Sequence, residues 1–125
     1  MSDQTQKIIP VLRILDIAKA KEFYIDWLGF TIDWEHRFGE NFPLYMQVSG
    51  HDIILHLTEH YGDCLTGARI RINMQGIETF HKQITQKNYR YYKPGIEKTE
   101  WNTLEVCLLD PFGNHLVFAE YLKNE

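Results

Sequence analysis

Apolar positions along the chain fall into two successive runs with the same plan. Ile8-Ile9-Pro10-Val11-Leu12-Arg13-Ile14 reads as a strand, with Pro10 marking a strand start or a sheet edge. Asp16 then suits a helix N-cap. Ala20, Phe23, Tyr24 and Trp27 recur at helical spacing and Gly29 stops the segment, which predicts a helix over residues 17–28. Residues 30–36 alternate, Phe30, Ile32 and Trp34 against Thr31, Asp33 and Glu35, as a half-buried strand does. After a loop at 38–42, residues 44–49 and 52–58 flank a turn placed at Gly50-His51, which makes a hairpin.

Residues 59–65 break the pattern and read as a linker, and the plan then repeats. Residues 68–74 form a strand, and residues 76–86 a helix with Ile77, Phe80 and Ile84 on one face. A short, turn-interrupted strand region around Tyr89 to Tyr92 follows, then Pro94-Gly95. Residues 103–109 and 115–121 form a closing hairpin around Asp110-Pro111-Phe112-Gly113-Asn114, where Pro111 fixes φ and Gly113 and Asn114 tolerate positive φ. Two units of strand, helix and three strands, about sixty residues apart, imply a duplicated supersecondary unit. Neither unit buries a sheet face unaided. The expected fold is therefore α+β: two βαβββ modules, residues 8–64 and 65–122 of a single domain spanning 1–125, forming a curved mixed sheet around a cleft with helices outside.

Composition narrows the function classes. With 44% hydrophobic and 24% charged residues the chain has an ordinary globular balance. The 14% aromatic share points either to a ring-rich core or to a ring-lined cleft. A net charge of −4 without a basic run speaks against nucleic acid. No apolar run reaches membrane-spanning length, the N-terminus has no signal-peptide pattern, and Cys64 and Cys107 make no motif. A cytoplasmic protein with reduced thiols is the expectation.

Three segments carry a family resemblance: Val11-Leu12-Arg13-Ile14-Leu15-Asp16-Ile17, Phe23-Tyr24-Ile25-Asp26-Trp27-Leu28-Gly29-Phe30, and the Asp110–Asn114 turn with its following strand. On these the chain resembles the glyoxalase/bleomycin-resistance/extradiol-dioxygenase superfamily, the vicinal oxygen chelate proteins. The turn-rich run Leu55-His56-Leu57-Thr58-Glu59-His60-Tyr61-Gly62-Asp63 looks most like the bleomycin-resistance type. The resemblance implies paired βαβββ modules, a homodimer with two clefts and, in metal-using members, ligands on the first and last strands of each module. Carried over by motif, those positions are Ile9, His56, Arg69 and Val117. Only His56 among them can ligate, since Ile and Val lack lone pairs and a guanidinium repels a cation. A divalent catalytic site needs about three protein ligands, so no cofactor is expected and a divalent metal is disfavoured. His56, Glu59, His60, Asp63 and Cys64 form a rival local cluster, but His56 and His60 would lie about 13 Å apart along a strand. A polar strand end is the better reading of it.

The remaining candidates follow from strand faces. Arg69 and Arg71 share one face of a short strand and need anionic partners: an acid of the other module for Arg71, a polar or anionic ligand for Arg69. Trp34 and Trp101 occupy comparable places in the two modules and suit a stacking clamp, or plain packing. Glu105 interrupts an apolar strand, where an acid fits a cationic ligand or an arginine. With Tyr45, Gln47, His56 and His115 these complete the ligand-binding set: Trp34, Tyr45, Gln47, His56, Arg69, Trp101, Glu105 and His115. No catalytic triad, phosphate loop or paired-acid pattern stands out. The sequence-based expectation is a metal-independent small-molecule-binding protein that sequesters a flat polar ligand in a dimer cleft. The alternative is a metal-dependent lyase, isomerase or dioxygenase of the same superfamily using His56.

Overall fold

The computed structural model describes residues 6–87, 89 and 93–123. The chain divides into two compact units, Met1–Thr66 and Gly67–Glu125. Each carries one four-stranded mixed sheet, so the fold is α+β with the expected βαβββ order in each half.

In the first unit, β1 (Val11–Arg13) leads through Asp16 into α1 (Ile17–Lys21). The Asp16 carboxylate accepts from the Lys19 amide at 2.9 Å, as an N-cap should. The predicted helix over 17–28 is realised in two parts, because the α-helical turns give way to a π-helical segment, Glu22–Trp27. There the Leu28 amide reaches back to the Phe23 carbonyl at 3.0 Å, one residue further than in an α-turn. Phe23, Tyr24 and Trp27 are all buried, with the Phe23 and Tyr24 rings 4.8 Å apart edge to face. Gly29 ends the segment at φ 85°.

Strands β2 (Thr31–His36), β3 (Tyr45–Gly50) and β4 (Ile53–Thr58) complete a sheet of order β1-β4-β3-β2, in which β1 runs parallel to β4 and the other pairs are antiparallel. Met46, Val48, Leu55 and Leu57 form its buried face, while Tyr45, Gln47, Ser49 and His56 stand half-exposed on the other. The β3–β4 turn lies one residue later than expected, at His51 and Asp52. Both have positive φ, 51° and 65°, as a two-residue type I′ hairpin turn requires. The His51 ring also serves the fold, since its Nε2 lies 2.7 Å from the Leu28 carbonyl at the helix end. His51→Ala is expected to lower stability by about 1 kcal/mol, read from denaturant unfolding.

In the second unit, β5 (Arg69–Asn73), α2 (Ile77–Gln86), β6 (Glu97–Lys98), β7 (Thr103–Leu109) and β8 (His115–Tyr121) repeat the plan with order β5-β8-β7-β6. Here β5 is parallel to β8 and the other pairs are antiparallel. Ile77, Phe80 and Ile84 are buried as their spacing requires, and the Phe80 and Phe118 rings meet at 4.5 Å. The Glu120 carboxylate accepts from the Ile77 amide at 3.0 Å and so caps α2 in place of Gly76. The strand region expected around Tyr89 to Tyr92 lies outside the described residues, apart from Tyr89 itself, which is buried. No helix among the described residues is long and apolar enough to cross a membrane.

Candidate functional site

On the first sheet, four of the expected residues come together on the half-exposed face. Gln47 pairs in register with His56 on one side and Trp34 on the other, which aims all three the same way. Tyr45, two residues from Gln47, joins them. The Tyr45 hydroxyl lies 2.7 Å from His56 Nδ1, and His56 Nε2 lies 3.0 Å from Gln47 Oε1. The Gln47 amide nitrogen donates to Asp33 Oδ2 at 3.0 Å, and the Ser49 hydroxyl donates to Asp33 Oδ1 at 3.0 Å. The Trp34 and Tyr45 rings are near parallel, 12° apart with centroids at 6.1 Å, and Trp34 sits edge-on to His56 at 5.4 Å. Trp34 is 43% exposed, so aromatic surface stays open to solvent.

A β-bulge brings Asp33 and Trp34 to this face. Register between β2 and β3 shifts between Ile32 and Trp34, with Ile32 opposite Val48 and Trp34 opposite Gln47. The extra residue turns Trp34 away from the side that Phe30 and Ile32 take and leaves Asp33 against Gln47 and Ser49. Asp33 and Ser49 were not among the sequence candidates. Regular alternation put Asp33 opposite Trp34, and only the bulge unites them.

Burial lowers the His56 pKa, which favours the neutral ring. Burial also raises the Tyr45 pKa, with coulombic interactions from Asp63 and Cys64 adding to it, so the phenol keeps its proton.

The half-exposed face of the second sheet is built around Glu105, which is only 6% exposed. Its Oε2 accepts from Arg71 Nη2 at 2.8 Å, the Thr103 hydroxyl at 2.9 Å and the Trp101 indole at 3.3 Å. The Arg71 hydrogen bond holds the Glu105 carboxyl below the usual range against the opposing effect of burial, and Thr103 assists. This corrects the expectation that Arg71 pairs with an acid of the other module. Its partner sits two strands away in the same sheet. Val117 and Ala119 of the intervening β8 carry this face with small side chains that let the guanidinium cross. Trp101 precedes β7 and is 62% exposed. Arg69, exposed, lies in register with half-buried His115.

The cluster at the end of β4 does not converge. Glu59 accepts from the Leu44 amide, Asp63 from the Thr58 hydroxyl, and His56 faces Tyr45 and Gln47. No group of three or more metal-ligating side chains forms among the described residues. Cys64 and Cys107 form no disulfide. A cavity of about 580 Å³ lined by residues 73–75 and 120–123 contains none of the candidate residues.

The model of the family described as "Glyoxalase superfamily protein" matches residues 3–125. The chain belongs to the glyoxalase superfamily. Solved structures share the superfamily fold. A bleomycin-binding protein in complex with bleomycin is 24% identical at a TM-score of 0.68, with 97% of this chain and all of that one covered. A bleomycin resistance determinant encoded on transposon Tn5 is 20% identical at 0.72, covering 95% of this chain and all of its own. A putative glyoxalase family protein from Bacillus anthracis is 15% identical at 0.68, covering 98% and 100%. No curated protein matches the sequence.

The glyoxalase-superfamily metal pattern does not fit the residues present. Val11 stands in register with His56 and is apolar, as is Ile9 two residues earlier. Arg69 and Val117 supply no lone pair in the second unit. His56 itself has both ring nitrogens within hydrogen-bond distance of protein partners. A metal at His56 would have to break one of those contacts, and no group of three or more His, Cys, Asp or Glu side chains stands ready to hold one among the described residues.

Proposed function

We propose that this glyoxalase-superfamily chain is a metal-independent small-molecule-binding protein of the bleomycin-resistance type. In this reading it is a cytoplasmic homodimer that sequesters a flat polar ligand without turning it over. The observation that carries the reading is the half-exposed face of the first sheet. There the parallel Trp34 and Tyr45 rings offer stacking surface beside hydrogen-bonding groups already fixed by one another. The committed His56 ring supports binding over metal chemistry. The fold shared with a bleomycin-binding protein adds a precedent for ligand capture on this scaffold.

The test is calorimetry of the purified protein against bleomycin and a panel of planar polar compounds, before and after treatment with a chelator. Binding should saturate stoichiometrically and survive chelation, and Trp34→Ala should weaken it about tenfold, the worth of one good stacking contact. Sedimentation should give twice the 14.9 kDa chain mass. Stoichiometric divalent metal, removed by the chelator together with a measurable turnover, would defeat the proposal in favour of a lyase, isomerase or dioxygenase.

A further inference from the structure

The polarity of the hydrogen bonds on the first sheet can be read from its fixed end. Asp33 is a carboxylate and accepts, so the Gln47 atom facing Asp33 Oδ2 is the amide nitrogen. That fixes the amide's orientation and turns Oε1 toward His56. An amide oxygen only accepts, so the proton between them sits on His56 Nε2. With that nitrogen protonated and the ring neutral, Nδ1 is an acceptor, and the Tyr45 hydroxyl donates to it. Each proton therefore points along the series Tyr45, His56, Gln47, Asp33, and the Ser49 proton points to Asp33 as well.

The consequence lies at the open ends. The one hydroxyl proton of Tyr45 is committed to His56, so its oxygen presents lone pairs. Asp33 keeps unused lone pairs and its negative charge, and no described residue forms an ion pair with it. Only the second Gln47 amide hydrogen and the Trp34 indole N–H remain as donors of this set. Beside these acceptors the electron-rich face of Trp34 attracts cations.

We propose that this face selects a planar, cationic hydrogen-bond donor of the amidinium or guanidinium kind, which stacks on Trp34 and donates to Tyr45 Oη. Planar carboxylates are rejected. The assignment rests on the ligand-binding reading above and adds the chemical class of the ligand. The lowered His56 and raised Tyr45 pKa values agree with it, because both keep the proton order intact at neutral pH.

Benzamidinium and benzoate make a matched test, since they share a flat ring and differ in hydrogen-bond polarity. Titrated into the labelled full chain and followed by NMR, benzamidinium should shift the Trp34 indole and His56 ring signals. It should bind at least tenfold more tightly than benzoate, and Tyr45→Phe should cut that preference about tenfold. Tighter binding of benzoate at Trp34 and Tyr45 would overturn the ligand class while leaving the ligand-binding reading in place. Benzamidinium shifts confined to other residues, or no shifts with either compound, would also overturn it. The His56 tautomer, read from nitrogen-15 shifts of the unmodified protein, tests the proton order without any ligand. A neutral ring protonated on Nε2 is expected. A ring protonated on Nδ1, or an imidazolium at neutral pH, would overturn the order from which the ligand class is drawn.

Discussion

Asn114→Ala should destabilise the second unit by about 2–3 kcal/mol, visible as a lowered midpoint in denaturant unfolding. Asn114 is fully buried, and both ends of its side chain are used. Its Oδ1 accepts from the Gly67 and Ala68 amides at 3.0 and 3.1 Å, which ties the closing hairpin to the entry of β5. Its Nδ2 donates to Asp110 Oδ2 at 2.9 Å, while Asp110 Oδ1 accepts from the Phe112 and Asn114 amides, each at 2.8 Å. Asp110 is 3% exposed, so its carboxylate depends on these donors rather than on water. The substitution removes one donor to that buried charge and the acceptor for two amides. Gly67 is exposed and Ala68 partly so, which lets water recover part of the loss and keeps the cost below a fully buried case. Asn114→Asp is expected to be worse than its size suggests. It would place a second carboxylate where Asn114 Nδ2 now meets Asp110.

That turn also shows how far the sequence alone reaches. Pro111, Gly113 and Asn114 announce a reversal through their backbone preferences, and Gly113 does adopt φ 97°. The Asp16 cap, the Ile77-Phe80-Ile84 stripe and the apolar strand runs within 103–109 and 115–121 are legible for the same reason. Each is a local rule acting within a few residues. What was hidden depends on pairing between strands. The bulge between Ile32 and Trp34 leaves no mark on an alternation that looks regular, yet it decides which face receives Asp33 and Trp34. The His51-Asp52 turn displaced Gly50-His51 because Gly50 keeps its place in β3 opposite Ile53. A Cβ there would come 3.2 Å from the Phe30 Cα. Tyr45, Gln47 and His56 were nominated singly from strand faces. Their order as a hydrogen-bonded series follows from register, which no single strand encodes.

Glu105→Ala should be the most damaging change on the face of the second sheet, and Glu105→Gln should separate its charge from its shape. Thr103 is fully buried and donates to Glu105 Oε2, and the Thr99 and Thr103 hydroxyls lie 2.6 Å apart behind it. A hydrogen bond to an ionised group contributes about 1.5–3 kcal/mol, so loss of the Thr103 bond alone puts Glu105→Ala near 2 kcal/mol. The Arg71 pair adds less than its 2.8 Å length suggests, because the arginine side chain is 40% exposed and solvent screens it. Glu105→Gln keeps an oxygen for Thr103 and should cost less. The two variants should also differ from the unmodified protein in acid. The folded Glu105 pKa lies below the ordinary value of 4.5, so near that pH the unfolded chain binds more protons than the folded one. The stabilisation is thus complete above about pH 4.5 and is lost as pH falls through the folded pKa. Unfolding midpoints measured from neutral pH downward should bring the unmodified protein and Glu105→Gln together at low pH and narrow the gap to Glu105→Ala without closing it. A gap that stays constant across that range would show that Glu105 acts through packing and not through its charge.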